Sequence, residues 1–201
     1  MLKTFLNLKP TLWLILSIPA LALLVQTATG SMDAHFALHP TGETAARLMI
    51  LALMISPLRT IWPHAYWLYW LLRRRRGIGV AAFFHASLHL IFYLESAGSL
   101  GKVASDLAEA GIWTGWMAML VFVPLAATSN DTAVRWLGRW WKPLQRTTYA
   151  TAMLTVLHWS LVSHGIGGVI VHFAPLALLE AWRIFSSLKT AQASGTSAPA
   201  R

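Results

Sequence analysis

The chain contains no cysteine. That excludes disulfides, thiolate zinc sites, iron–sulfur clusters and CxxCH-type covalent haem attachment. Charge is also scarce. Only 11% of the 201 residues are Asp, Glu, Lys or Arg, where a soluble domain carries roughly a quarter. Acids are rarest, seven against sixteen Lys and Arg. No glycine-rich phosphate loop or dinucleotide fingerprint occurs, so NAD(P)H or a large soluble substrate must be handled by another protein. What fills the chain is apolar: 56% of residues, with eleven tryptophans. Indole is enriched at membrane interfaces, where one side of the ring is dry and its N–H is wet. A net charge of +9 would suggest nucleic acid for a soluble protein. Here the basic residues stand in short blocks between apolar runs, the pattern of cytoplasmic loops, and no nucleic-acid partner is expected.

Six apolar runs recur, near Leu12–Ala28, Ala45–Ile61, Ile78–Leu94, Ile112–Thr128, Thr147–Val162 and Val169–Phe185. Each has roughly 16 to 18 residues, near the lower limit for a spanning helix. The expected fold is all-α, an integral membrane bundle of six transmembrane helices. The first run lacks a small-x-small cleavage site and is one of six alike, so it reads as a helix rather than a cleaved signal. With the N-terminus cytoplasmic, fourteen of the sixteen basic residues fall inside, and only Arg47 and Lys102 fall outside. Five of the seven acids (Asp33, Glu43, Glu95, Asp106 and Glu109) join the outer side. This asymmetry puts both termini in the cytoplasm. The organisation expected is one membrane domain over 1–187 and a disordered cytoplasmic tail over 188–201, poor in apolar residues.

An ionisable side chain inside a spanning helix is costly and marks function by default. Of eight histidines, His35, His39 and His64 belong to loops in this reading. His164 and His172 lie near the outer ends of helices five and six. His85, His89 and His158 lie within spans. His89 is about 20 Å past Arg76 and His158 about 18 Å past Arg146, at 1.5 Å per residue. Both helices run outward, so the two imidazoles share one level. Two neutral imidazoles at one level on two helices are what a six-coordinate haem iron needs. Ala81, Ala82, Ala86, Ser87, Ala150, Ala152 and Thr155 supply small residues beside them. Arg47 is the candidate cation for the propionates. The plainer alternative is that these histidines are interhelical hydrogen-bond glue. His85, one turn inward of His89, stays open as an alternative ligand, a hydrogen-bond donor to the site, a quinone contact or a packed histidine.

The order TGETAARL (41–48), MISPLR (54–59), an arginine block before Gly79, SLHL (87–90), ATS (127–129), LGRWWKPLQ (137–145) and VLHW (156–159) resembles the MsrQ (YedZ) family. These are haem-binding membrane subunits of the periplasmic methionine sulfoxide reductase system of Gram-negative bacteria, within the wider ferric-reductase-like transmembrane group. The resemblance spans about residues 10 to 185. It implies six helices in the inner membrane, haem b on His89 and His158, electrons from the quinone pool, and flavin mononucleotide as an associated cofactor. It also implies a periplasmic molybdopterin partner, MsrP, which performs the sulfoxide chemistry. The family's further histidine at the start of helix five is Gln145 here, so one haem is expected. Quinol is expected to dock toward the inner side near Trp136, Trp140 and Trp141. Arg135, Arg139, Lys142 and Arg146 read chiefly as topological determinants facing headgroups.

Two rivals remain at this stage. One is the b-type cytochrome of a split ferric reductase or oxidase. The other is a cofactor-free transporter or assembly factor, which needs acidic or broken-helix sites at the midplane. Glu180 is the clear intramembrane acid, and it stands one turn from Arg183.

Overall fold

The computed structural model describes residues 9–163 and 165–195, with side chains from 11 to 189. The expectations for Lys3, His164 and residues 196–201 lie outside the described residues. Regular structure among the described residues is helical throughout: α1 (Lys9–Ala28), α2 (Ala34–Ile61), α3 (Tyr66–Ala97), α4 (Leu100–Asp106), α5 (Ala110–Ala127), α6 (Asp131–Leu137), a 3-10 turn (Gly138–Trp140), α7 (Trp141–Arg146), α8 (Thr148–Val162) and α9 (Gly167–Gly195).

Five of these helices (α1, α2, α3, α5 and α9) are long and apolar enough to cross a membrane. The fifth apolar run forms α8, whose 15 residues span about 22 Å. That is short of a hydrocarbon layer of about 30 Å. The helix stops where Ser163 turns extended at ψ 145, and a short connection with Gly165 leads to α9 at Gly167. On its other side α7 adds length, since Thr147 between them keeps right-handed angles, φ −65 and ψ −6.

Three boundaries differ from the sequence expectation. First, α3 runs straight through Arg73–Arg76 instead of beginning after them. Arginine and leucine are good helix formers, and no breaker separates Tyr66 from Gly77. At 32 residues, α3 is about 18 Å longer than the hydrocarbon layer, so its arginine turns reach the headgroups. It ends at Gly98, whose φ of +69 places it in the left-handed region favoured by glycine, with its N–H on Leu94 O at 3.3 Å and Glu95 O at 3.1 Å. Second, α2 begins at Ala34, so His35 and His39 ride on its first turns rather than in a loop. Third, α9 continues to Gly195, past residue 188, where the tail was expected to begin.

The helices pack as two intimate pairs, α2 with α3 and α5 with α8; α9 packs on α2, and α1 leans on α3 and α2. Their shared core holds Met49 and Leu53 of α2, Ala82 of α3, Phe122 of α5, Ala152 of α8 and Phe173 of α9. Large apolar side chains cover the outside instead of polar ones: Leu14, Leu120 and Leu178 are each about two-thirds exposed or more. In water so much exposed apolar surface would drive aggregation; against lipid tails it costs nothing. Glu180, the acid within α9, accepts the Tyr149 hydroxyl at 2.9 Å and Arg183 Nη2 at 2.6 Å. It is a paired structural charge of the kind membrane helices tolerate.

Candidate functional site

His89 of α3 and His158 of α8 face one another, with ring centres 6.1 Å apart and planes at 80°. The equal depth inferred from the sequence is thus realised as direct opposition. Each imidazole is fixed by its Nδ1–H. His89 donates to Leu38 O of α2 at 2.9 Å, and His158 donates to Gly111 O of α5 at 2.7 Å. With Nδ1 committed, Nε2 is the free lone pair, and neither Nε2 has a hydrogen bond to any described residue. Histidine ligands of metals are typically oriented in this way, by a backbone carbonyl on the other nitrogen.

The two seats are built alike. Leu38 is followed by Thr41 and Gly42, and Gly111 by Thr114 and Gly115. Both threonines are buried. Each hydroxyl reaches back to the carbonyl that holds the imidazole: Thr41 Oγ1 to Leu38 O at 2.9 Å, and Thr114 Oγ1 to Gly111 O at 2.7 Å. Each glycine lies flat against the ring. A Cβ at position 42 would sit 3.0 Å from His89 Nδ1, and one at position 115 would sit 2.7 Å from His158 Nδ1. One helix of each intimate pair therefore carries the histidine, and the other carries its Thr-Gly seat. Sequence reasoning followed the histidine helices and missed the seats. The signal was available as a carbonyl-x-x-Thr-Gly spacing that occurs in both partner helices.

Between the pairs lies a cavity of about 340 Å³, lined by residues of α2, α3, α5 and α8 that include His89 and His158. Its size and chiefly apolar walls are those of a cofactor site. Among the small residues expected beside the histidines, Ala86 and Thr155 line it, while Ala82 and Ala152 are packed in the core. The opening is made mainly by Gly42, Ala45, Ala46, Gly115 and Ala118 of the opposite helices.

The donor set fits a bis-imidazole metal centre. A metal–imidazole bond is about 2.0 Å and the ring centre lies about 1.1 Å behind the nitrogen, so two rings across one metal have centres about 6.2 Å apart. The observed 6.1 Å matches that spacing.

The other sequence candidates stand elsewhere. His85 does not line this cavity. It is buried and turns toward α1, with Nε2–H donating to Leu16 O at 2.9 Å. Arg47 is not on the lining either. Its Nη2 donates to Glu43 Oε1 at 2.7 Å and its Nε to His172 Nε2 at 3.1 Å. Glu43 itself reaches the cavity mouth, as does His39. Trp159, also on the lining, stacks on His172 at 5.1 Å between centres. Gln145 caps α5: its Nε2–H donates to Leu125 O and Thr128 Oγ1, each at 3.1 Å. Trp141 supports the same helix end through Nε1–H to Thr128 O at 3.0 Å, while Trp136 and Trp140 are largely exposed.

Comparison with known proteins places this arrangement in context. The family described as ferric reductase like transmembrane component matches residues 41–156, the stretch from the first Thr-Gly seat nearly to His158. The chain is 38% identical to the protein-methionine-sulfoxide reductase heme-binding subunit MsrQ of Xanthomonas campestris pv. campestris (strain 8004), over 75% of this chain and 69% of that protein. It is 30% identical to the protein of the same name from Ralstonia nicotianae, over 99% of this chain and 96% of that protein. The chain is a member of the ferric-reductase-like transmembrane family and, within it, of the MsrQ family.

Proposed function

We propose that this chain is the membrane subunit that connects the quinone pool to a periplasmic molybdopterin methionine sulfoxide reductase (MsrP). In this reading His89 and His158 would hold one haem b through their Nε2 atoms. The observation that carries it is the opposition of two imidazoles with both Nδ1 atoms tied back and a cavity between their helix pairs. The relatives bear names that describe haem-binding subunits of protein-methionine-sulfoxide reductase. When bound, haem supplies a one-electron carrier that a chain without redox side chains of its own would lack.

The residues then have separable tasks. Leu38 O and Gly111 O fix the tautomers, so that both Nε2 lone pairs are left free for a metal. Gly42 and Gly115 let α2 and α5 approach the rings. Chiefly apolar walls surround both imidazoles. Arg47 pairs with Glu43, which lines the cavity, and would be the candidate cation for a propionate on that side. With Gln145 committed to capping α5, position 145 offers no imidazole, and one haem is the stoichiometry proposed. Six spans with both termini cytoplasmic complete the reading, α8 being the short one. This puts the two seats toward the periplasmic side and the tryptophan-rich 136–141 segment toward the quinol. A flavin mononucleotide would enter as an added donor on that inner side.

The test is reconstitution in liposomes with an added quinol. The reduced b-type absorbance is expected to appear with quinol. It is expected to decay only when the molybdopterin reductase and methionine sulfoxide are both supplied. Decay with a ferric chelate alone would favour the split ferric reductase, and absence of any quinol-dependent reduction would refute the electron-carrier reading.

A further inference from the structure

A second cavity, of about 580 Å³, opens at the basic end of the bundle, between α1, the arginine turns of α3 and the residues that begin α6. Arg73, Arg74 and Arg76 line it, with Asp131 as its acid. Arg76 Nη1 pairs with Asp131 Oδ1 at 2.8 Å. The Arg74 guanidinium stacks 3.8 Å from the centre of the Trp70 ring. Arg73 makes no hydrogen bond or ion pair with any described residue. The lining thus carries three arginines and one carboxylate, and is net positive. Arginine offers planar, paired N–H donors matched to phosphate oxygens.

The walls indicate what carries the phosphate. Tyr66, Tyr69 and Trp70 line it one to two turns before the arginines of α3, aromatic residues of the kind enriched at membrane interfaces. Leu12 and Trp13 of α1 floor the cavity. Below them the rings of Trp13 and Phe84 meet edge to face at 6.3 Å, and both are exposed on the outer surface of the bundle. The polar cavity thus continues into an apolar lipid-facing track along α1 and α3. A soluble phosphate would use only the upper part, whereas a phospholipid would use both.

We propose that this cavity is a binding site for the phosphate headgroup of an anionic phospholipid, with Arg73 and Arg76 as its principal contacts and an acyl chain along Trp13 and Phe84. Basic pockets between transmembrane helices at the headgroup level bind anionic lipids on this principle. The site also has a structural consequence. α1 is the least buried of the candidate spans, and a lipid that touches α1, α3 and the start of α6 would tie it to the bundle.

The experiment is native mass spectrometry of the detergent-purified, delipidated full chain titrated with phosphatidylglycerol, phosphatidylcholine and glycerol phosphate. Arg73→Gln, Arg76→Gln and their double variant are compared with Arg139→Gln, a basic residue outside the cavity. Circular dichroism confirms that each is folded. Retained phosphatidylglycerol is expected at one tight site. Affinity should fall about fivefold for each single arginine and about thirtyfold for the double variant, with Arg139→Gln unchanged. Phosphatidylcholine should bind more weakly, and glycerol phosphate should not displace the lipid. Thermal unfolding of the parent, and not of the double variant, should shift upward with phosphatidylglycerol. Equal binding of the zwitterionic lipid, or full retention by the folded double variant, would overturn the site. Complete displacement by glycerol phosphate would overturn the lipid assignment and leave a soluble phosphate as the ligand.

Discussion

Gly115→Ala separates a seat built for an imidazole from ordinary helix packing. Alanine is the better helix former by about 1 kcal/mol, so in open space the change would stabilise α5. Position 115 is not open. The new Cβ would lie 2.7 Å from His158 Nδ1 and 2.8 Å from Cε1, where ordinary contact begins at 3.4 Å. The ring must therefore retreat by about 0.7 Å, and retreat pulls Nδ1 away from Gly111 O, now at 2.7 Å. Overpacking of this kind costs about 1–3 kcal/mol, which exceeds the propensity gain. Loss of an orienting partner lowers metal-site affinity about tenfold to hundredfold. The assay is haem per chain, with the reduced-minus-oxidised spectrum and thermal unfolding on the same samples. Gly42→Ala, with its closest approach of 3.0 Å to His89, should show a milder version. Gly79→Ala, with nothing within 4 Å, should leave haem content unchanged and stabilise by about 0.4–1 kcal/mol. If Gly115→Ala bound haem at parental stoichiometry and unfolded at a higher temperature, the packing argument for the seat would be refuted.

Three further outcomes follow from the structure. Gln145→Ala should cost about 1 kcal/mol by removing one donor from Leu125 O, which Ser129 Oγ still serves, and one from Thr128 Oγ1, with haem content intact; loss of haem in a folded variant would instead make Gln145 part of the site. Arg183→Leu should destabilise more than the double variant Arg183→Leu/Glu180→Leu, because the single change strands a carboxylate in the membrane, and a thermal-unfolding cycle without that coupling would contradict the pairing. Outside the spans, hydrogen bonding from Lys102 holds the Asp106 carboxyl below its usual 3.8, and the same contact raises Lys102 above 10.5. A depressed carboxyl contributes stability that is present above its unfolded value and lost as pH falls through its folded one; a raised lysine contributes stability that is lost as pH rises through its folded one. Amide exchange in α4, corrected for intrinsic rates, should therefore be flat between about pH 5 and 10 and accelerate beyond either limit, and Asp106→Asn should abolish the acid-side change.

Much of the membrane architecture was legible because hydrocarbon imposes one rule, long apolar runs with charge kept to the ends. The pairing of His89 with His158 was legible for a related reason. Axial rise converts sequence distance into depth, and an arginine stands before the apolar stretch of each histidine to measure from. Helix continuity was harder to read. Arg73–Arg76 looks like a loop by charge yet is strongly helix-forming, so α3 absorbs it. His35 and His39 likewise fall on α2, which begins at Ala34 and continues through Pro40. Azimuth, unlike depth, is not set by spacing along one helix. His85 and His89 share a helix face by the four-residue rule, yet the first turns to α1 and the second to α2. The partners of Arg47 depended on His172, 125 residues away. The Thr-Gly seats lay on helices that carry no ligand, and their meaning appears only once α2 is against α3 and α5 against α8.

The most direct test of the central claim is the low-temperature electron paramagnetic resonance spectrum of the oxidised, haem-loaded chain, taken beside His89→Ala and His158→Ala. The account predicts one low-spin ferric haem per chain with bis-imidazole ligation. Each single variant should lose that signal, either to high-spin haem or to no haem at all. A low-spin bis-imidazole signal that survives in either folded variant would contradict it.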